Sequence, residues 1–417
     1  MTLPFPRPLR VLLFALALAC VRGYAPALAA PAQAVITLLS APPPEYEFGK
    51  TMTFQAAARS SGPSLIGATV FVRASGEART FVGEARLTPG AEISAAYPLN
   101  LSLRPLSPFA PVEYWWEIRD SAGGSLTTEP QSFVYEDNRV EWRTLTRDPV
   151  TVHWHAGETA FGQAALDVAT AALTDANRDI QAPLPEQINL YIYADVQAAQ
   201  AALAQVGRIW ADGYADPALA LAVVAVAADE VAGLNLQREI PHELTHILIY
   251  QTTGDHYRNV PTWLNEGLAV MNQAQPDPEF PAALAAARDA GTLLSLSSLC
   301  GPFPADPAQA QLAYAESESV VHYIRDTHGA PGLTALLGAY ADGLGCAAGV
   351  DRALGVSLAA LEEGWLRDSL LTGPISVPPR AVDLTAWVIL AAVVLVSPVL
   401  FFLLISLTPS ARRPASS

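Results

Sequence analysis

Lysine is almost absent: Lys50 is the only one in 417 residues, so nearly every cation is arginine. The skew is compositional and has no functional meaning of its own. Positive charge as a whole is short. Against 40 Asp+Glu stand only 24 Lys+Arg, a formal net charge of −16. A phosphate backbone is held by clustered cations, so nucleic acid is excluded as the main partner. Charged residues are few, at 15%, while 51% are apolar, which excludes disorder throughout. Cysteine is scarce too, and Cys20, Cys300 and Cys346 all lie outside the first long β-patterned stretch, so no Cys pair staples that stretch. The length suggests two or three folded units.

Much of the apolar excess sits at the two ends. Residues 1–29 read as a secretory signal: Arg7 and Arg10 make a positive start, Val11–Cys20 is an apolar run of ten, and Ala27-Leu28-Ala29 is an A-x-A cleavage site. Lipoprotein processing at Cys20 is the rival. Near the other end, Leu384–Leu407 is an uncharged run of 24 residues. At about 1.5 Å each it reaches about 36 Å as a helix, enough for a hydrocarbon core of roughly 30 Å. Arg412 and Arg413 follow, which places the tail (408–417) in the cytoplasm. The expected topology is an exported body, a stiff Pro-containing linker (372–383), one membrane helix (384–407) and a short inner tail. Cys300 and Cys346 remain after cleavage, and they either pair in an oxidising compartment or stay as buried thiols.

The body divides in two. Residues 30–143 show short alternating runs with turn signals, including Thr51–Phe54, Ala68–Val72 and Val112–Ile118. The last leads through Asp120–Gly124 into Ser125–Thr128, a hairpin with a Gly-rich turn. Six or seven strands of this kind predict a β-sandwich of immunoglobulin or fibronectin type. Tyr114, Trp115 and Trp116 are expected to pack in its core and edge. Residues 144–371 change rhythm: strands at Val150–Trp154, Ile188–Tyr193 and Leu219–Ala227, then helices around Glu239–Thr252, Pro261–Asn272, Pro281–Ala290, Pro307–Thr327, Gly332–Ala341 and Ser357–Leu370. This predicts an α+β, mostly helical domain with its site between β and α halves.

The chemistry is carried by His242-Glu243-Leu244-Thr245-His246, an H-E-x-x-H motif. On a helix, positions i and i+4 share a face about 5–6 Å apart, so two imidazoles can bind one Zn²⁺. Glu243, rotated by about 100°, flanks the metal and can take a proton from water. Pro241 fits the first turn if the helix starts near Glu239. A hydrolytic zinc site needs a third protein ligand, and downstream stands Thr262-Trp263-Leu264-Asn265-Glu266-Gly267-Leu268-Ala269.

H-E-x-x-H followed by W-L-N-E-G-L-A resembles the gluzincin metallopeptidases, in which the Glu of N-E-G is the third zinc ligand; carried over, that is Glu266. Nineteen residues separate His246 from Glu266, one more than in the aminopeptidase branch, and the turn-rich Thr253–His256 would absorb the difference. The pieces Ile240-Pro241-His242-Glu243, the W-L-N-E-G-L-A helix, the later Ala313–Val321 and the lead-in from Tyr135 to His155 are similar to the peptidase MA-like family of exported bacterial proteins. Two departures stand out. No G-A-M-E-N-like segment, which captures a substrate's free amine in the aminopeptidase branch, precedes His242. Val270 stands where thermolysin-like enzymes have an Asp four places after the ligand Glu.

The resemblance implies one Zn²⁺ per chain on His242, His246 and Glu266, with Glu243 as general base and a peptide or protein as substrate. Tyr314 is the candidate oxyanion donor, with Tyr323, His322 and His328 as rivals. His153 and His155 read as surface residues of a strand. The expected function is a membrane-anchored extracytoplasmic zinc metallopeptidase. The alternative is an inactive peptidase-fold protein that serves as a binding or adhesion module. The partner of the β domain is not legible.

Overall fold

The computed structural model describes residues 35–204, 213–229 and 232–370. The expected signal segment, linker, membrane span and tail lie outside the described residues. Among the described residues no helix is long and apolar enough to cross a membrane.

The N-terminal region is β-rich, as its alternation predicts. One sheet holds β1 (Ile36–Ser40), β2 (Glu45–Glu47), β3 (Thr51–Ser60) and β6 (Glu92–Asn100). The other holds β4 (Leu65–Ala74), β5 (Phe81–Glu84), β7 (Pro111–Asp120), β8 (Ser125–Thr127) and β9 (Gln131–Val134), which makes nine strands rather than six or seven. In β7 the period of two buries Val112, Tyr114, Trp116 and Ile118 and turns Trp115 outward, where it stacks on Phe71 at 5.3 Å. The predicted hairpin forms, with Glu117 opposite Thr127. Asp120 Oδ1 accepts from the amides of Ala122 and Gly124, and Gly123 supplies the positive φ of 89°.

A third sheet follows: β10 (Arg143–Arg147), β11 (Val150–Trp154), β12 (Ile188–Tyr193), β13 (Gly213–Asp216) and β14 (Leu221–Ala225), in the order β10-β11-β12-β14-β13. β11, β12 and β14 are parallel, whereas β10 and β13 are antiparallel edges. The helices are α1 (Thr159–Ile180), α2 (Val196–Leu203), α3 (Ala232–Thr253), α4 (Thr262–Met271), α5 (Phe280–Ala290), α6 (Pro307–Ala341, broken at Gly329), α7 (Cys346–Leu354) and α8 (Leu358–Trp365). α7, β10 and β13 escaped the sequence pattern.

This sheet is covered on both faces, which explains why Ile188–Tyr193 is buried throughout. Leu190 and Ile192 face α1 and α3, while Tyr191 and Tyr193 share the β-rich region's core with Phe109 and Tyr135. Polar bonds close the seam. Tyr191 donates to Glu136 at 3.0 Å and Tyr193 to the buried Asp137 at 2.8 Å, and Arg139 grips the same Asp137. His153 and His155 belong to this seam and not to the surface. His153 stacks on Tyr191 at 4.1 Å, and His155 accepts from the Ala194 amide at 3.2 Å. Burial holds both imidazoles below their ordinary pKa.

Cys300 and Cys346 form a disulfide across a sequence separation of 46. A loop of that size is worth about 4 kcal/mol in the chain-entropy model. Cys346→Ser should therefore unfold at lower urea than the oxidised protein and coincide with it once both are reduced. Coincidence under oxidising conditions would show that the bond adds nothing.

Candidate metal centre

α3 is positioned by its apolar side: Leu236, Ile240, Leu244, Ile247 and Leu248 enter the main core with Leu190 and Val224 of the sheet. That packing turns His242 and His246 toward a cleft of about 860 Å³. The helix starts at Ala232, so Pro241 lies in its interior and not in its first turn. A six-residue 3₁₀ turn, Gly254–Asn259, absorbs the chain between α3 and α4, where the turn-rich stretch predicts it. α4 then presents Glu266.

The helices bring the three residues together. Glu266 Oε2 lies 3.4 Å from His242 Nε2 and 3.8 Å from His246 Nε2, and the three donor atoms all lie within 4.8 Å of one another. Two ligands about 2.1 Å from a shared tetrahedral ion stand about 3.4 Å apart, so the spacing suits zinc. The outer nitrogens fit as well. His246 Nδ1 meets Asn265 Oδ1 at 3.2 Å, and Asn265 is held in turn by Tyr257. His242 Nδ1 meets the Gln273 carboxamide at 3.1 Å, while Gln273 Oε1 is buried without a partner. Exchanging the amide's O and N gives Nδ1–H an acceptor and leaves Nε2 free to ligate. These two partners are residues that sequence reasoning missed. For Asn265 the signal was its place beside Glu266; for Gln273 there was none.

Glu243 is buried beside them, at 6% exposure, and its pKa rises to about 8. Burial is the main cause; His242 opposes it, and Glu266 and Glu239 add to it. Burial would also raise Glu266, but His246 and His242 outweigh it and hold that carboxyl below the ordinary range. The first residue of edge strand β13, Gly213, lies so near that a Cβ there would come 2.3 Å from Glu243 Oε1. The strand and the turn after it, Gly213–Ala218, line the cleft.

Tyr314, on α6, lines the same cleft, its ring 6.5 Å from that of His242. Burial raises its pKa, with Glu266 and Glu243 adding to the effect. The rivals lie elsewhere: Tyr323 packs on Gly364 of α8, His322 pairs with Glu318 at 3.7 Å, and His328 packs against Gly332.

α4 and α6 cross at Gly267. A Cβ there would stand 2.5 Å from the Ser317 carbonyl oxygen and 2.7 Å from Val321 Cγ2. This close approach explains the glycine after Glu266. Gly267→Ala should cost about 2 kcal/mol by overpacking and, by displacing its neighbour, weaken zinc retention about tenfold. Chelator competition and urea unfolding read the two effects, and an unchanged pair of values would deny the crossing this role.

Two residues past Tyr314, Glu316 is fully buried. Its Oε1 accepts from the Leu294 amide at 3.0 Å and Oε2 has no partner. Burial lifts its pKa to about 7, the Leu294 amide opposes, and Glu362 adds. A folded pKa above the unfolded value means stability that is complete in acid and lost as pH rises through about 7. Glu316→Gln should remove about 3 kcal/mol of the stability difference between pH 4 and pH 8, measured by urea unfolding. Identical slopes in the two proteins would contradict it.

Residues 168–371 match the family described as the Peptidase MA superfamily. This part of the chain belongs to the peptidase MA superfamily. The peptidase MA region spans every residue of the centre and begins within α1. Among solved structures, the chain is similar to the sulfane dehydrogenase SoxCD from Paracoccus pantotrophus, at 12% identity over 25% of this chain, with TM-score 0.19; it spans only 30% of that protein's length. It is similar to an M1 zinc metallopeptidase from Deinococcus radiodurans, at 16% identity over 76% of this chain and 90% of that one, with TM-score 0.32. It is also similar to an aminopeptidase N family protein from Idiomarina loihiensis, at 6% identity over 82% and 73%, with TM-score 0.33. No curated protein matches.

Proposed function

We propose that the chain is a zinc metallopeptidase that hydrolyses peptide bonds outside the cytoplasm, with an immunoglobulin-like N-terminal domain and a C-terminal membrane anchor. The observation that carries the reading is the convergence of His242, His246 and Glu266 beside a buried Glu243 in an open cleft. The anchor and the export signal rest on the apolar runs and their flanking arginines alone.

A zinc ion on these three residues supplies Lewis acidity toward a scissile carbonyl and toward water. The rest is the work of the chain's own groups. β13 is an edge strand, paired with β14 on one side and lining the cleft with its residues. Among the described residues β14 is its one strand partner, and an extended peptide added as one more strand would suit the cleft, which favours a peptide substrate. Glu243, as its carboxylate, would accept the proton of the attacking water and return it to the leaving amine. The Tyr314 hydroxyl remains protonated across the physiological range and donates to the oxygen that gains charge. The deciding experiment is a peptide-library digest by the zinc-loaded protein and its Glu243→Gln variant. It tests catalysis and reads cleavage preference together.

A further inference from the structure

Pro241 cannot donate the helical hydrogen bond to the carbonyl four residues back, so Gln237 O is left without its usual partner. That oxygen is taken instead by the Ala274 amide, at 2.9 Å, from the segment just past α4. Further bonds run beside it. Gln275 Nε2 donates to Gln237 Oε1 at 3.1 Å, and Asn272 Nδ2 donates to Thr245 Oγ1 at 3.3 Å. Thr245 donates in turn to the Pro241 carbonyl at 2.7 Å. Asn272, Ala274 and Gln275 are thus pinned along α3, and Gln273 lies between them, its carboxamide against His242 Nδ1.

We propose that the Asn272–Gln275 segment is a latch, docked on the carbonyl that Pro241 frees, and that it makes Gln273 the positioning residue for His242. Gln273 Oε1 accepts from Nδ1–H, which fixes the imidazole tautomer with Nε2 facing Glu266 and His246. The latch also accounts for a feature with no other explanation in the fold: a proline inside the helix that bears the histidines. Gln273 acts through His242 and is not a catalytic residue.

The proposal rests on the zinc reading, and its test separates the two. Zinc affinity is measured by chelator competition on the full chain. Gln273→Leu should weaken it about 10- to 100-fold, whereas Gln273→Glu, which keeps an acceptor, should stay within about threefold of wild type. Pro241→Ala returns a helical donor to Gln237 O. It should protect the helix better and yet bind zinc about tenfold more weakly. Hydrogen exchange reads the latch without any metal: the Ala274 amide should be protected in the wild type and exposed in Pro241→Ala. Wild-type zinc affinity in Gln273→Leu, equal losses in the Leu and Glu variants, or an Ala274 amide still protected in Pro241→Ala would each overturn the proposal. A wild-type chain that binds no zinc would instead sink the metallopeptidase reading, and the Ala274 protection would still decide the docking.

Discussion

Glu243→Gln is expected to keep its zinc and to lose turnover by about 1,000-fold, within the range that removal of a positioned acid–base group costs. The substitution is nearly isosteric. The amide can neither accept the water's proton nor return it to the leaving group, and it disturbs little else, since Glu243 lies outside the donor set formed by His242, His246 and Glu266. The site around it is tight. A Cβ on Gly213 would collide with Glu243 Oε1, so a larger side chain would confound chemistry with packing and glutamine is the informative choice. Metal content by atomic absorption must accompany the peptide-library digest. Full zinc with wild-type hydrolysis would remove Glu243 from the mechanism. Lost zinc would mean the substitution had damaged the centre and not the proton transfer.

The histidine pair was legible in the sequence for a physical reason. Ligands four apart on one helix, with a glutamate beside them, form a pattern that spacing alone defines, whereas Glu266 came only from the resemblance of W-L-N-E-G-L-A to the gluzincins. Strand Ile188–Tyr193 was legible because β-branched and aromatic residues crowd it, but the alternation hid which of its faces met which neighbour. Both proved buried, one by helices and one by the β-rich region. β13 was not legible. Gly-Tyr-Ala-Asp is too short and too mixed to announce a strand, and its register is set by β14. Gln273 and Asn265 are neutral amides with no periodicity, and only tertiary contact gives them a role. Pro241 was read as a helix start because that is where proline is cheapest. The helix instead begins at Ala232 and tolerates the missing donor, because the orphaned carbonyl finds Ala274. His153 and His155 read as surface because alternation does not reveal that a second unit covers the face they share.

Glu266→Ala is expected to weaken zinc binding by more than about 100-fold, beyond the loss typical of removing an outer partner. Two imidazoles remain, but the one anion among the three candidate ligands is gone, and with it the group that both imidazoles face. The neighbours argue that the loss would be local. Asn265 still holds His246 Nδ1, Gln273 still meets His242 Nδ1, and Gly267 still fits against the Ser317 carbonyl. A truncation that spares all three should leave the fold near its wild-type urea midpoint while metal affinity collapses. Glu266→Asp sharpens the reading: it keeps the charge but draws it back by one methylene, so its affinity should fall between those of wild type and Ala. If the alanine variant binds zinc as tightly as the wild type, the third ligand lies elsewhere. The 3.4 Å and 3.8 Å approaches of Glu266 would then be an ion pair with the histidines and not half of a metal cage.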